Sequence, residues 1–225
     1  MDTYICDLIK KGKLRNDLNI VPNLKFQERL TKHIYKKFKL GTPIEFLLSF
    51  RYVKNTNSHV QILHECVRHF GSLYNYYNYV QNQITQSLLQ NNIVIVPVAI
   101  KIVGYNYNHT ILLIFNQNIL EIYNPNENSF ILNNIISKIF HNYKICCSLM
   151  EQNMLLQNRE SKIKHNIYEK QNGYCILWSL LVAELILKYS NISHYDIVTI
   201  ISKYSDENVK HLIRGYSASY LRFFH

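Results

Sequence analysis

The run Ile93-Val94-Ile95-Val96-Pro97-Val98-Ala99-Ile100-Lys101-Ile102-Val103 constrains this chain most, because so long a β-branched and apolar stretch suits a strand covered on both faces. Beyond the polar turn Gly104-Tyr105-Asn106-Tyr107-Asn108, His109 opens a second strand, Thr110 to Phe115. A third strand, Ile119 to Tyr123, follows Asn116-Gln117-Asn118 and stops at Asn124-Pro125-Asn126. A hairpin of this length brings its far end back to the level of its start. His109 and Asn124 are therefore expected to be neighbours at one end of a sheet, where an amide oxygen can hold an imidazole in the tautomer that accepts a proton.

A second segment, Gln171-Asn172-Gly173-Tyr174-Cys175-Ile176-Leu177-Trp178-Ser179-Leu180-Leu181, sets a cysteine at the start of an almost wholly apolar helix. First-turn backbone N–H groups and the positive end of the helix dipole favour a thiolate there, and Gly173 lets the chain turn sharply into the helix. A cysteine on an apolar helix is ordinarily inert packing, and a strand-end histidine ordinarily does nothing. It is the combination of His109, Asn124 and Cys175 that points to a nucleophile, its base and the group that orients the base. Glu121 is a rival carboxylate, but period-two alternation puts Glu121 and Tyr123 on one face and Asn124 on the other.

The order His, Asn, Cys is the reverse of papain-like enzymes. It resembles the ubiquitin-like-protease clan of cysteine peptidases, which includes SUMO-specific proteases, the adenovirus maturation protease and polyprotein-processing proteases of large DNA viruses. The resemblance rests on Pro97, His109-Thr110-Ile111-Leu112-Leu113-Ile114-Phe115, Glu121-Ile122-Tyr123-Asn124-Pro125 and Gly173-Tyr174-Cys175-Ile176-Leu177-Trp178-Ser179, within about residues 92 to 190. The last two pieces are similar to members encoded by large DNA viruses. Thr110 replaces the clan's usual Trp, Asn124 its commoner Asp, and Glu169 stands near where its oxyanion glutamine usually lies. Gln157, in Leu155-Leu156-Gln157-Asn158-Arg159-Glu160, resembles the Gln-x-x-Glu of the viral members, with Gln171 as the alternative.

The resemblance implies a thiol protease that hydrolyses an amide or isopeptide bond, with a ubiquitin-like conjugate or a viral polyprotein as substrate. No cofactor and no metal are expected. Two other classes remain open: an acyltransferase using the same His and Cys, and a catalytically inactive binding protein with a peptidase-like fold.

Composition bounds the rest. With 225 residues, 48% of them hydrophobic, the chain can bury one sizeable core, and six Gly and four Pro argue against low-complexity tracts. The opening residues carry early acids and no apolar run, so no secretory leader is expected. Ser179, Glu184 and Lys188 interrupt the Cys175 helix below the roughly 20 residues a membrane span needs, and no membrane partner is expected. Five cysteines, Cys6, Cys66, Cys146, Cys147 and Cys175, form an odd set without disulfide spacing, as expected of a reducing cytosol or nucleus, in a host cell or virion if the chain is viral.

Residues 1–54 hold twelve Lys and Arg against five Asp and Glu, much of the formal +10. Arg29, Lys32, Lys36, Lys37 and Lys39 fall on or beside a helix expected over Phe26–Phe38, whose apolar positions Leu30, Ile34 and Phe38 recur every four residues. Such a helix suits contact with nucleic acid or an acidic surface, although a basic face is more often simply solvated. His59, His64, Cys66 and His69 lie close together without the paired spacing of a zinc site.

The expected fold is α+β. A helical, basic N-terminal region over 1–91 precedes a catalytic core over 92–225, the two together one compact unit. Strands are expected near 92–103, 109–116, 118–123 and 143–149, and helices near 132–140, 175–189, 193–203 and 206–214, with Ser193 capping the third of these.

Overall fold

The computed structural model describes residues 1–15, 24–53, 58–61, 69–103, 108–125, 130–146, 149, 156 and 174–223. The strands are β1 (Phe46–Val53), β2 (Ser58–Gln61), β3 (Val94–Val103), β4 (Asn108–Asn116), β5 (Ile119–Tyr123) and β6 (Lys144–Cys146). The helices are α1 (Asp2–Lys13), α2 (Leu24–Phe38), α3 (Leu73–Gln90), α4 (Phe130–Ile139), α5 (Cys175–Lys188), α6 (His194–Ser202) and α7 (Asp206–Ser219), followed by a 3₁₀ turn at Leu221–Phe223. The fold is α+β with a mixed sheet, in the order β2-β1-β3-β4-β5-β6. The β1–β3 and β5–β6 pairs are parallel and the others antiparallel.

The first ninety residues differ from the expectation of a helical region. They hold α1, α2 and α3 but also supply β1 and β2, and β1 pairs in parallel with β3, so the sheet spans the expected boundary near residue 91. Phe46-Leu47-Leu48-Ser49-Phe50 is too short an apolar run to separate strand from helix by periodicity; its pairing with β3 decides the matter.

Alternation along the central strands divides the core into two layers. Ile95, Leu112, Ile114 and Tyr123 face a layer built from α1, α2, α5, α6 and α7. Val94, Val96, Val98, Ile111, Leu113, Phe115, Leu120 and Ile122 face α3 and α4, which contribute Tyr76, Val80, Ile84, Leu132 and Ile136. Because both faces are covered, β3 and β4 read as continuous apolar runs. Helix α5 is apolar all round for the same reason: every residue from Cys175 to Ile186 is buried between the sheet and the other helices.

Two rows of α2 do different work. Phe26, Leu30 and Ile34 enter the core. Gln27, Thr31 and Tyr35, one position further round, lie over β3 where β1 no longer flanks it, since β1 begins opposite Val98. There the Tyr35 hydroxyl donates to the Ile95 carbonyl and Gln27 Nε2 donates to the Pro97 carbonyl at 3.4 Å. Side chains thus replace the missing strand, and Pro97, with no N–H to satisfy, fits that open edge.

The one carboxylate inside α5 is compensated in full. Glu184 is wholly buried; Oε1 accepts from Lys37 Nζ at 2.5 Å, and Oε2 accepts from the Tyr216 and Tyr220 hydroxyls at 3.0 and 2.8 Å. Burial together with the Glu184 charge raises the pKa of Tyr216 well above the ordinary phenol value, which keeps it a donor. This network joins α2, α5 and α7 around one charge. Ser193 and Ser205 cap α6 and α7, each accepting from the backbone N–H three residues on.

Candidate functional site

Three elements converge at the end of the sheet where β4 begins. In the β4–β5 register Leu112 lies opposite Tyr123, so the hairpin returns Asn124 to the level of the first residues of β4. His109 Nε2 and Asn124 Oδ1 are 2.8 Å apart, and the two residues are 6% and 1% exposed. An amide oxygen can only accept, so with this amide orientation Nε2 carries the proton and Nδ1 is the proton-accepting atom of the ring.

The third element is α5. Ser179 Oγ donates to the carbonyl of Thr110 at 3.1 Å, which fastens the second turn of the helix to the residue after His109. Cys175, the first residue of α5 and 2% exposed, lies one turn earlier on the same face, about 6 Å along the axis. The first intrahelical bond runs from the Trp178 N–H to the Tyr174 carbonyl, which leaves the N–H groups of Cys175, Ile176 and Leu177 at the helix's positive end. Strict alternation groups His109 and Asn124 with Ile111 and Ile122, on the side facing α3 and α4. His109 sits on the last rung but one, paired with Ile100, with only the Lys101–Asn108 pair beyond it.

Burial holds the His109 imidazole below its ordinary pKa of 6.5; the bond to Asn124 acts in the opposite direction and only partly offsets it. The ring is therefore neutral at pH 7 and able to take a proton. The sign of the linkage follows, since below pH 6.5 the unfolded chain binds a proton at this position that the folded chain resists. Its contribution to stability is complete above pH 6.5 and is lost as pH falls from there through the depressed folded value. Thermal melts between pH 7.5 and 5 are expected to show a steeper acid loss for the wild type than for His109→Leu.

The rival carboxylate is engaged elsewhere. Glu121 Oε2 pairs with His194 Nδ1 at the start of α6, on the other side of β5 from Asn124. Gln157 and Gln171, the two oxyanion candidates, lie outside the described residues, as do His64 and Cys66. Among the described residues no group of His, Cys, Asp and Glu could hold a metal ion, and no helix is long and apolar enough to cross a membrane.

Sequence reasoning missed Gln27. Thr110 Oγ1 donates to Gln27 Oε1 at 2.7 Å, so Thr110 is tied to α2 by its side chain and to α5 by its carbonyl. The available signal was the row Gln27, Thr31, Tyr35 beside the apolar row Phe26, Leu30, Ile34, which widens the buried face of α2 beyond a simple stripe. Comparison with family models, with curated proteins and with solved structures found no match to this chain.

Proposed function

We propose that this protein is a thiol-dependent peptidase or isopeptidase in which Cys175 is the nucleophile, His109 the base and Asn124 the group that orients the base. The observation that carries the reading is the buried His109–Asn124 hydrogen bond at 2.8 Å, at the strand end next to the residue that anchors the cysteine-bearing helix. Imidazole, amide and thiol occur together in the chemistry of acyl transfer, and a neutral ring with a free-standing structural role has no need of so costly a polar pair in a dry site.

In this mechanism Nδ1 of His109 takes the proton from the Cys175 sulfur, and the thiolate adds to the carbonyl carbon of the substrate amide. The Cys175 N–H and a glutamine amide, Gln157 or Gln171, stabilise the resulting oxyanion. The tetrahedral adduct collapses with cleavage of the C–N bond; the imidazolium returns its proton to the leaving amine and a thioester remains. Water, deprotonated by the same ring, then releases the acid and restores the thiol. A ubiquitin-like conjugate or a viral polyprotein is the substrate class this reading favours.

The test is a panel of ubiquitin- and SUMO-type vinyl and aldehyde probes read by intact mass. An adduct on Cys175 that disappears in Cys175→Ala is the expected result, whereas equal labelling of Cys175→Ala would assign reactivity to another thiol. The distance between the ring and the sulfur provides a second test: a His109 ring nitrogen within about 4 Å of the Cys175 sulfur is expected, and a ring out of reach of the sulfur would end the enzyme reading.

A further inference from the structure

We propose that Gln27 is a positioning residue for His109, acting through Thr110. The inference rests on the peptidase reading above and extends its machinery to a helix 83 residues away in sequence. Thr110 is fully buried and belongs to the rung next to His109: Thr110 pairs with Ala99, and His109 with Ile100. Its carbonyl is held by Ser179 of α5 and its hydroxyl by Gln27 Oε1, while Gln27 Nε2 reaches back to the carbonyl of Pro97 on the neighbouring strand. One side chain therefore bridges β3 and β4 just inside the rung that carries the imidazole, the last but one of the β3–β4 pair.

Such a bridge is needed where it occurs. Strand ends are the first parts of a sheet to open, and β4 begins only one residue before His109. A base must stay within a fraction of an ångström of its working position, and an ångström-scale error costs as much as about 10²-fold in rate. Gln27 is 7% exposed and lines a cavity of about 580 Å³ with Thr31, Pro97, Ala99, Phe46 and Tyr76. It touches no reacting atom; its effect passes through the Thr110 hydroxyl to the backbone of His109.

The experiment measures alkylation of Cys175 by iodoacetamide as a function of pH, together with the titration of the His109 ring by NMR, in the full chain. Thr110→Val removes the hydroxyl at constant shape, Gln27→Met removes the bridge at similar volume, and Thr110→Ser keeps the donor. At pH 7 the rate constant is expected to fall about tenfold in Thr110→Val and in Gln27→Met, to fall no further in the double variant, and to stay within about twofold of wild type in Thr110→Ser. The His109 titration should move in the first two variants and not in the third.

Wild-type alkylation and an unmoved His109 titration in Gln27→Met, even with a lowered melting temperature, would overturn the positioning role and leave Gln27 as a structural cap on the β3 edge. The peptidase reading fails by a different signature. If His109→Ala alkylates at the wild-type rate, thiol and imidazole are not coupled, and both proposals fall together.

Discussion

Cys175→Ala is expected to abolish turnover and probe labelling, a fall of at least about 10³-fold, while lowering stability by only about 1 kcal/mol, because a single buried sulfur is lost from a well-packed helix. Melting curves recorded beside labelling assays separate the two effects. His109→Ala should cost nearly as much activity, since it removes the base itself. Asn124→Ala should cost less, because it removes only the partner that fixes the tautomer. If Gln157 donates to the oxyanion, Gln157→Ala should lower kcat by about 10²-fold with little change in KM while Gln171→Ala stays mild; the reverse ranking would move the role to Gln171. Cys146→Ala and Cys66→Ala should leave labelling intact. Retained turnover in Cys175→Ala would refute the mechanism outright.

Gly12→Ala is expected to be among the most destabilising single substitutions in the chain, at about 3 kcal/mol or more. Helices α1 and α7 cross with a glycine from each at the contact. A Cβ on Gly12 would lie 1.8 Å from the His211 carbonyl oxygen, and one on Gly215 would lie 1.8 Å from the Leu8 carbonyl oxygen. Both obstructions are backbone atoms, so no rotamer change relieves them and the helices must move apart. That movement would also disturb Ile5, Leu8, Leu212 and Tyr216, all packed in the same core. A loss of about 6–12 °C in Tm is the corresponding shift for a chain of this size. Because both glycines serve one crossing, the Gly12→Ala/Gly215→Ala double variant should lose less than the sum of the two singles. A Tm within about 2 °C of wild type in Gly12→Ala would show that the crossing is looser than described.

The hairpin and its consequence were legible in the chain. β3, β4 and β5 follow from continuous apolar runs broken by Asn- and Gly-rich turns, and once the hairpin is granted, the meeting of His109 and Asn124 is a matter of strand length. The start of α5 and the Ser193 cap of α6 were legible for the same reason: each depends on residues within one helical turn.

What tertiary structure decided is everything that depends on a distant partner. Neither the parallel seat of β1 on β3 nor the role of Gln27 leaves a local periodic signature; the first is settled by backbone pairing across some fifty residues and the second by a carbonyl that β1 fails to cover. Glu184 reads as an interruption in an apolar helix until α2 brings Lys37 and α7 brings Tyr216 and Tyr220 to it. Gly12 and Gly215 read as poor helix residues until the two helices cross at backbone contact. Local pattern determines which face of an element is apolar, whereas the identity of what covers that face depends on chain segments that no window along the sequence contains together.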